Sequence, residues 1–153
     1  MGLSNAIFAG GCFWGVEHFF KGMVGVSAVV SGYSGGHTEN PTYEDVVTGT
    51  TGHIEVVQIE YDANVVTYDD LLDMFFKIHD PTTIDRQGPD IGEQYKSVIF
   101  YDSEDEMNAA NEKIKRIDEG NFFKDPIVTE VRKAVTFYKA EEYHQDFIEK
   151  TGR

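Results

Sequence analysis

Cys12 is the only cysteine among 153 residues, and it stands where a nucleophile would be built. It follows Gly10-Gly11 at the end of a short apolar run, and it opens a stretch with helical spacing. Glycines there let the backbone turn sharply and leave room around the sulfur. A cysteine at a helix N-terminus meets the positive end of the helix dipole and N–H groups with no intrahelical partner. Both favour the thiolate, the form that attacks an electrophile, so this placement leads us to expect a lowered thiol pKa. A free cysteine is otherwise commonly a buried, inert core residue, and position alone does not separate these readings.

Other side chains could assist such a sulfur. Phe13 and Trp14 follow it directly, and Trp14 is the only tryptophan. They form either part of a helix core or an apolar box for a methyl or thioether group. In the segment 53–61, alternation sets His53, Glu55, Val57, Ile59 and Tyr61 on one strand face. Glu55 is in register with the apolar part of that face. If that face is buried, the carboxyl stays protonated near neutrality and can serve as a general acid. If it is the strand's wet end, Glu55 is an ordinary surface or ion-paired residue, and the mixed opposite face leaves the buried side open. Tyr43 and Tyr95 carry hydroxyls suited to holding a substrate oxygen, and Asp90 could orient a catalytic group. All three lie in turn-rich stretches, where such residues are common.

The elements that must position these groups follow from periodicity. Short strands are expected at 5–9, 24–33, 53–61, 97–101 and 127–135. Helices are expected at 12–21, 68–79, 103–119 and 139–150, with Ser103 as a cap. The order β-α-β-β-α-β-α-β-α predicts an α/β (α+β) fold, a two-layer sandwich with a mixed β-sheet and a ferredoxin-like core. The stretches 33–52 and 80–95 are irregular and long for a compact domain, which marks them as site-forming loops. We expect one catalytic domain over 1–153, without repeats or linkers.

The net charge of −14 comes from 27 acidic and 13 basic residues. Such a surface repels nucleic-acid backbones and anionic membrane surfaces, so neither partner is expected. No apolar run approaches the ~20 residues of a membrane helix, and no signal peptide is expected from the first segment, which is short and lacks a basic start. One cysteine forms no internal disulfide and no multi-cysteine zinc site. A free thiol fits a reducing compartment, hence the cytoplasm. The five histidines, at 18, 37, 53, 79 and 144, lack short metal-ligand spacing, so no metal and no cofactor are expected.

Seven ordered segments carry a resemblance. Gly11-Cys-Phe-Trp-Gly-Val-Glu17 resembles the signature of the peptide methionine sulfoxide reductase A family. Gly32-Tyr-Ser-Gly-Gly36, Asn40-Pro-Thr-Tyr43, Thr51-Gly-His-Ile-Glu55, His79-Asp-Pro-Thr82, Arg86-Gln-Gly-Pro-Asp-Ile-Gly-Glu-Gln-Tyr95 and Glu142-Tyr-His-Gln-Asp146 are similar to further segments of that family. The resemblance implies a two-layer α/β fold and reduction of the S-epimer of methionine sulfoxide, free or in proteins. It implies that Cys12 is the nucleophile and that Glu55 protonates the sulfoxide oxygen. It further implies that Tyr43 and Tyr95 hold that oxygen, that Phe13 and Trp14 receive the methyl group, and that Asp90 belongs to the same hydrogen-bond network. Many relatives resolve the oxidised nucleophile with further cysteines, and Val47 occupies a position that is cysteine in some of them. This sequence has none, so the implied reductant is external: a thioredoxin, a glutaredoxin or a small thiol.

Two other functions stay open on the residues themselves. A cysteine hydrolase or acyltransferase would need His53 or His37 within reach of Cys12. A non-catalytic thiol sensor would need only the exposed sulfur.

Overall fold

The computed structural model describes residues 3–151. The first half is a βαβ unit followed by a hairpin partner: β1 (Ser4–Gly10), α1 (Phe13–Lys21), β2 (Val26–Ser34) and β3 (Ile54–Tyr61). A short helix, α2 (Tyr43–Val47), lies between β2 and β3. Then come α3 (Tyr68–Ile78), the two-residue strands β4 (Arg86–Gln87) and β5 (Asp90–Ile91), a 3-10 turn (Glu93–Tyr95), β6 (Ser97–Tyr101) and α4 (Glu104–Glu119). The chain closes with β7 (Glu130–Lys133), β8 (Phe137–Lys139), a second 3-10 turn (Glu142–His144) and α5 (Phe147–Thr151).

Six strands form one sheet in the order β7-β6-β1-β3-β2-β8. The β6–β7 pair is parallel and the other pairs are antiparallel. The strands β1, β2, β3 and β6 with helices α1 and α3 make the expected ferredoxin-like β-α-β-β-α-β core.

Local chemistry explains the helices. α3 starts at a capping box, in which Thr67 accepts from the Asp70 N–H while Asp70 accepts from the Thr67 N–H. Its Leu71, Leu72, Phe75 and Phe76 recur at helical spacing and are all buried. Burying such a side chain contributes about 1.5–3 kcal/mol, so packing rather than propensity fixes the helix on the sheet. The expected Ser103 cap is present, accepting from the Glu106 N–H at 3.2 Å. Gly22 ends α1, its N–H bonding back to the Phe19 carbonyl while the Met23 N–H bonds to the Phe20 carbonyl.

β3 is buried on both faces. Val57, Ile59 and Tyr61 join the main core with Phe8, Phe13, Phe20 and Phe75. Ile54 and Val56 join a smaller cluster with Ala9, Val98 and Phe100, covered by Ala134 and Phe137. That cover comes from the end of the chain. The single strand expected at 127–135 is instead two strands on opposite sheet edges. β7 pairs with β6, residues 134–136 cross over, and β8 pairs with β2. The crossing segment seals the helix-free face where Ile54 and Val56 lie.

The single helix expected at 139–150 is likewise absent, because its residues serve distant partners. The Gln145 side chain accepts from the Ser31 N–H and donates to the Ser31 carbonyl, each at 2.9 Å, so it extends the β2 edge like a short strand. Asp146 takes φ 57° and gives its N–H to both oxygens of Glu17. These bonds override local helical spacing. The strand expected from 24 begins at Val26, after Gly25 with φ 98°.

Candidate active site

Cys12 is the N-cap of α1, with φ −58° and ψ 124°, and its side chain makes no cap hydrogen bond. The backbone N–H groups of Trp14 and Gly15 at the start of the helix favour charge on the sulfur. The preceding Gly11 has φ 94°, and a Cβ there would sit 2.6 Å from Cγ of Gln87. Gln87 in turn accepts from the Asp80 N–H at 2.9 Å. The Gly10-Gly11 turn therefore lets the 80–95 loop close over the start of α1, and this loop carries Asp90 and Tyr95 to the sulfur.

The expected lowering of the thiol pKa is not what this environment does. Burial, then the negative charge of Glu55 and of Asp90, pushes Cys12 up to about 12, against the two helix N–H groups that favour the thiolate. Desolvation of a charged sulfur outweighs the helix-terminus field. Cys12 rests as a thiol.

Glu55 resolves the face ambiguity: its side is buried, as is the opposite one. It is 1% exposed, opposite Tyr33 in the β2–β3 register, beneath the start of α1. Its Oε1 accepts from the Phe13 N–H at 3.2 Å, one of the helix-terminal donors with no intrahelical partner. Its Oε2 is buried without a partner among the described residues. Burial pushes the carboxyl up to about 8, only partly offset by the Phe13 bond. Glu55 is therefore protonated at neutral pH, with one carboxyl oxygen uncommitted beside the thiol.

Tyr43 opens α2, which begins at a Thr42–Asp45 capping box. Tyr95 ends the 3-10 turn. The two phenols act on each other, and burial, then Glu55, raises both phenols' pKa. Asp90 on β5 is half-buried and acts electrostatically on Cys12, Glu55 and Tyr95.

The aromatic pair divides. Phe13 is 1% exposed and sits in the main core, with its ring 5.6 Å from Tyr33 and 5.1 Å from His144. Trp14 is half-buried, stacked on Phe147 at 3.8 Å and 11° between planes. Its indole N–H donates to Nδ1 of His144 at 2.9 Å.

The loops thus bring Cys12, Glu55, Tyr43, Tyr95 and Asp90 into one neighbourhood, with Trp14 adjoining. Sequence reasoning assigned no role to Glu141 or His144. Glu141 accepts from the Tyr43 N–H and the Tyr33 hydroxyl, both at 2.9 Å, which pins the start of α2. Burial works to raise its pKa, yet these bonds hold Glu141 below the usual carboxylate range. The Glu142–Asp146 motif was the available signal, since it marks this segment without naming its contacts. His53 turns away from the thiol in its bonding: Nδ1 accepts from the Gly36 N–H at 3.1 Å and Nε2 meets the Thr38 carbonyl at 2.6 Å. His37 is exposed.

Comparison with known proteins gives one consistent answer. The family model for peptide methionine sulfoxide reductase matches residues 4–153. The chain is 58% identical over 149 residues to peptide methionine sulfoxide reductase MsrA of Methanothermobacter thermautotrophicus, covering 97% of this chain and 88% of the relative. It is 49% identical over 150 residues to the Acidobacterium capsulatum protein of the same name, covering 98% and 96%. Among solved structures, it is similar to reduced Mxr1 of Saccharomyces cerevisiae, with TM-score 0.93, 33% identity and coverage of 99% and 87%. Mxr1 in complex with Trx2 aligns with TM-score 0.68, 25% identity and coverage of 95% and 85%. With its fold, its buried carboxyl beside a lone cysteine and its near full-length likeness to these proteins, the chain belongs to the peptide methionine sulfoxide reductase family.

Proposed function

We propose that the chain reduces methionine S-sulfoxide, free or in proteins, to methionine through a sulfenic acid on Cys12. The observation that carries this reading is the protonated Glu55 with its unpaired Oε2 next to the thiol. A sulfoxide sulfur is a poor electrophile until its oxygen is protonated or strongly hydrogen-bonded. Glu55 supplies that proton, while the hydroxyls of Tyr43 and Tyr95 hold the oxygen. Asp90 orients this network. Trp14 walls the methyl group and Phe13 forms the floor beneath.

The step balances within the site. The Cys12 sulfur forms a bond to the substrate sulfur as Glu55 gives its proton to the sulfoxide oxygen. The thiol proton passes to the carboxylate so formed, so Glu55 ends as it began. The adduct's S–O bond then breaks as its oxygen bonds to the Cys12 sulfur, and the S–S bond breaks with its electron pair going to methionine, which leaves Cys12 as the sulfenic acid. An external thiol attacks the sulfenic acid, releasing water and leaving a mixed disulfide. A second thiol then frees Cys12. Two protons held in a neutral resting site suit this chemistry better than a preformed thiolate, whose charge would repel loss of the Glu55 proton.

Oxygen, methyl group and side-chain stem occupy three fixed directions around a pyramidal sulfur, which supports selection of one epimer. Cys12 has no cysteine partner in the sequence, so the reductant is a thioredoxin, a glutaredoxin or a small thiol. The Mxr1–Trx2 complex supports the first of these. Among the described residues no helix is long and apolar enough to cross a membrane. We place the enzyme in a reducing compartment such as the cytoplasm.

A steady-state assay with separated sulfoxide epimers and several reductants tests this reading. The S-epimer should be consumed with an external thiol and no added cofactor, and the R-epimer should remain. Equal use of both epimers, or no turnover with any thiol, would overturn it. A cysteine hydrolase finds little support, because both His53 ring nitrogens are engaged elsewhere and the groups acting on Cys12 are carboxylates.

A further inference from the structure

We propose that His144 is a positioning residue: as a neutral imidazole protonated on Nε2, it holds the Trp14 ring in the orientation that receives the substrate's methyl group. The inference rests on the reading of Trp14 as the methyl wall and adds what fixes that wall. Three observations carry it.

The first is the bond itself. An indole N–H can only donate, so Nδ1 of His144, at 2.9 Å, must be the acceptor. That fixes the tautomer with hydrogen on Nε2. Nε2 is buried and has no partner among the described residues. A buried donor left unpaired is costly, so hydrogen-bond satisfaction at Nε2 is not what keeps a histidine here.

The second is confinement. His144 is 1% exposed. Its ring lies 5.1 Å from Phe13, 4.6 Å from Tyr43 and 4.2 Å from Tyr143. It therefore links the proposed floor, wall and oxygen-holding hydroxyl. Phe147 stacks on one face of Trp14, which fixes the plane of the indole, and the His144 bond fixes its rotation within that plane.

The third is anchorage. The segment bearing His144 is tied to the sheet by Gln145 on Ser31 and to α1 by the Asp146 N–H on Glu17. Lys21 pairs with Asp146 and Glu149. The imidazole is thus held from behind rather than carried on a loose tail.

Protonation of Nδ1 would set two N–H donors against each other and release the indole. The charged groups facing the ring are Glu141 on its own segment and Glu44 on α2, while α1 offers only Phe13 and Trp14. Burial disfavours the imidazolium and these two carboxylates favour it, with burial the larger. The lock therefore holds at neutral pH and opens on the acid side of the ordinary histidine range.

Trp14 is the only tryptophan, so its fluorescence reports the contact directly. The full chain is compared with His144→Phe, which keeps a ring but no acceptor, and His144→Asn, whose amide oxygen stands in for Nδ1. Without substrate, wild-type fluorescence should show one transition in the acid range, absent from both variants. With methionine sulfoxide and dithiothreitol, His144→Phe should raise KM about tenfold and leave kcat within about threefold, and His144→Asn should recover most of that loss. A transition that persists in either variant, an unchanged KM, or equal impairment of both variants would overturn the proposal. If His144→Phe does not fold, the wild-type and His144→Asn titrations decide it. A wild-type protein that turns over no sulfoxide would sink the functional reading, while the titration would still test the His144–Trp14 contact.

Discussion

Glu55→Gln is expected to slow sulfoxide reduction about 10²–10⁴-fold, the range for loss of a positioned general acid, and at the same time to stabilise the fold in alkali. Gln keeps an oxygen to accept from the Phe13 N–H but has no proton to surrender. The stability gain follows from linkage. The Glu55 pKa rises from 4.5 when free to about 8 in the fold. Below pH 4.5 the folded and unfolded chains both hold the proton, and the buried carboxyl carries no charge penalty. Between pH 4.5 and about 8 the unfolded chain sheds its proton while the folded one keeps it, so the fold loses stability as pH rises. Above pH 8 the full penalty stands, on the order of 5 kcal/mol at about 1.4 kcal/mol per pKa unit. Denaturant titrations across pH should therefore find Glu55→Gln equal to wild type in acid and progressively more stable than it toward pH 9. Wild-type kcat/KM should fall as pH rises through about 8, and this limb should vanish in the variant. Curves that stay parallel at every pH, or a rate within threefold of wild type, would remove Glu55 from the acid role.

Cys12→Ser should abolish turnover, including a single turnover, without unfolding the protein. Position 12 is a helix N-cap whose present side chain makes no cap bond. Serine is among the preferred residues at such a position, so the fold should be unharmed or gain up to about 1 kcal/mol. The hydroxyl is a far weaker nucleophile, and burial beside Glu55 and Asp90 discourages its ionisation as it does that of the thiol. Measured methionine release from folded Cys12→Ser above background would mean that some other group attacks the sulfoxide.

Much of this site was legible from residue types, and the illegible part has a common cause. Gly-Gly-Cys before a helical run gave the strand-to-helix turn because glycine freedom and apolar spacing are local. The same local reading gave the wrong sign for the thiol. A helix terminus acts within one turn, whereas the burial that dominates Cys12 comes from the 80–95 loop and from β3, neither visible near residue 12. Glu55 showed the opposite problem: alternation in β3 described two faces, and both are buried, one by α1 and one by the chain crossing at 134–136. That crossing, with β8 after it, escaped notice because its strands are short and its pairing lies far along the sequence. The last segment read as one helix over 139–150, yet the hydrogen bonds of Gln145 and Asp146 go to Ser31 and Glu17. Helices α3 and α4, by contrast, follow from caps and periodicity that need no distant partner.

The placement of activity and stability in opposition at Glu55 has a structural basis. A charge-averse setting is needed to keep a carboxylic acid protonated, and Glu55 Oε2 is buried with no partner among the described residues. Such sites sacrifice stability for function. Glu141 fixes the start of α2 at Tyr43, and His144 of the C-terminal segment holds the Trp14 indole.

The most direct test is a single turnover. Enzyme is mixed with the S-sulfoxide of methionine in the absence of any reductant, and the Cys12 peptide is examined by mass spectrometry as methionine is counted. One added oxygen on Cys12, with one methionine released per chain, is the expected result. Methionine release with Cys12 unmodified, or oxidation of Cys12 without methionine release, would contradict a direct transfer of oxygen to this sulfur.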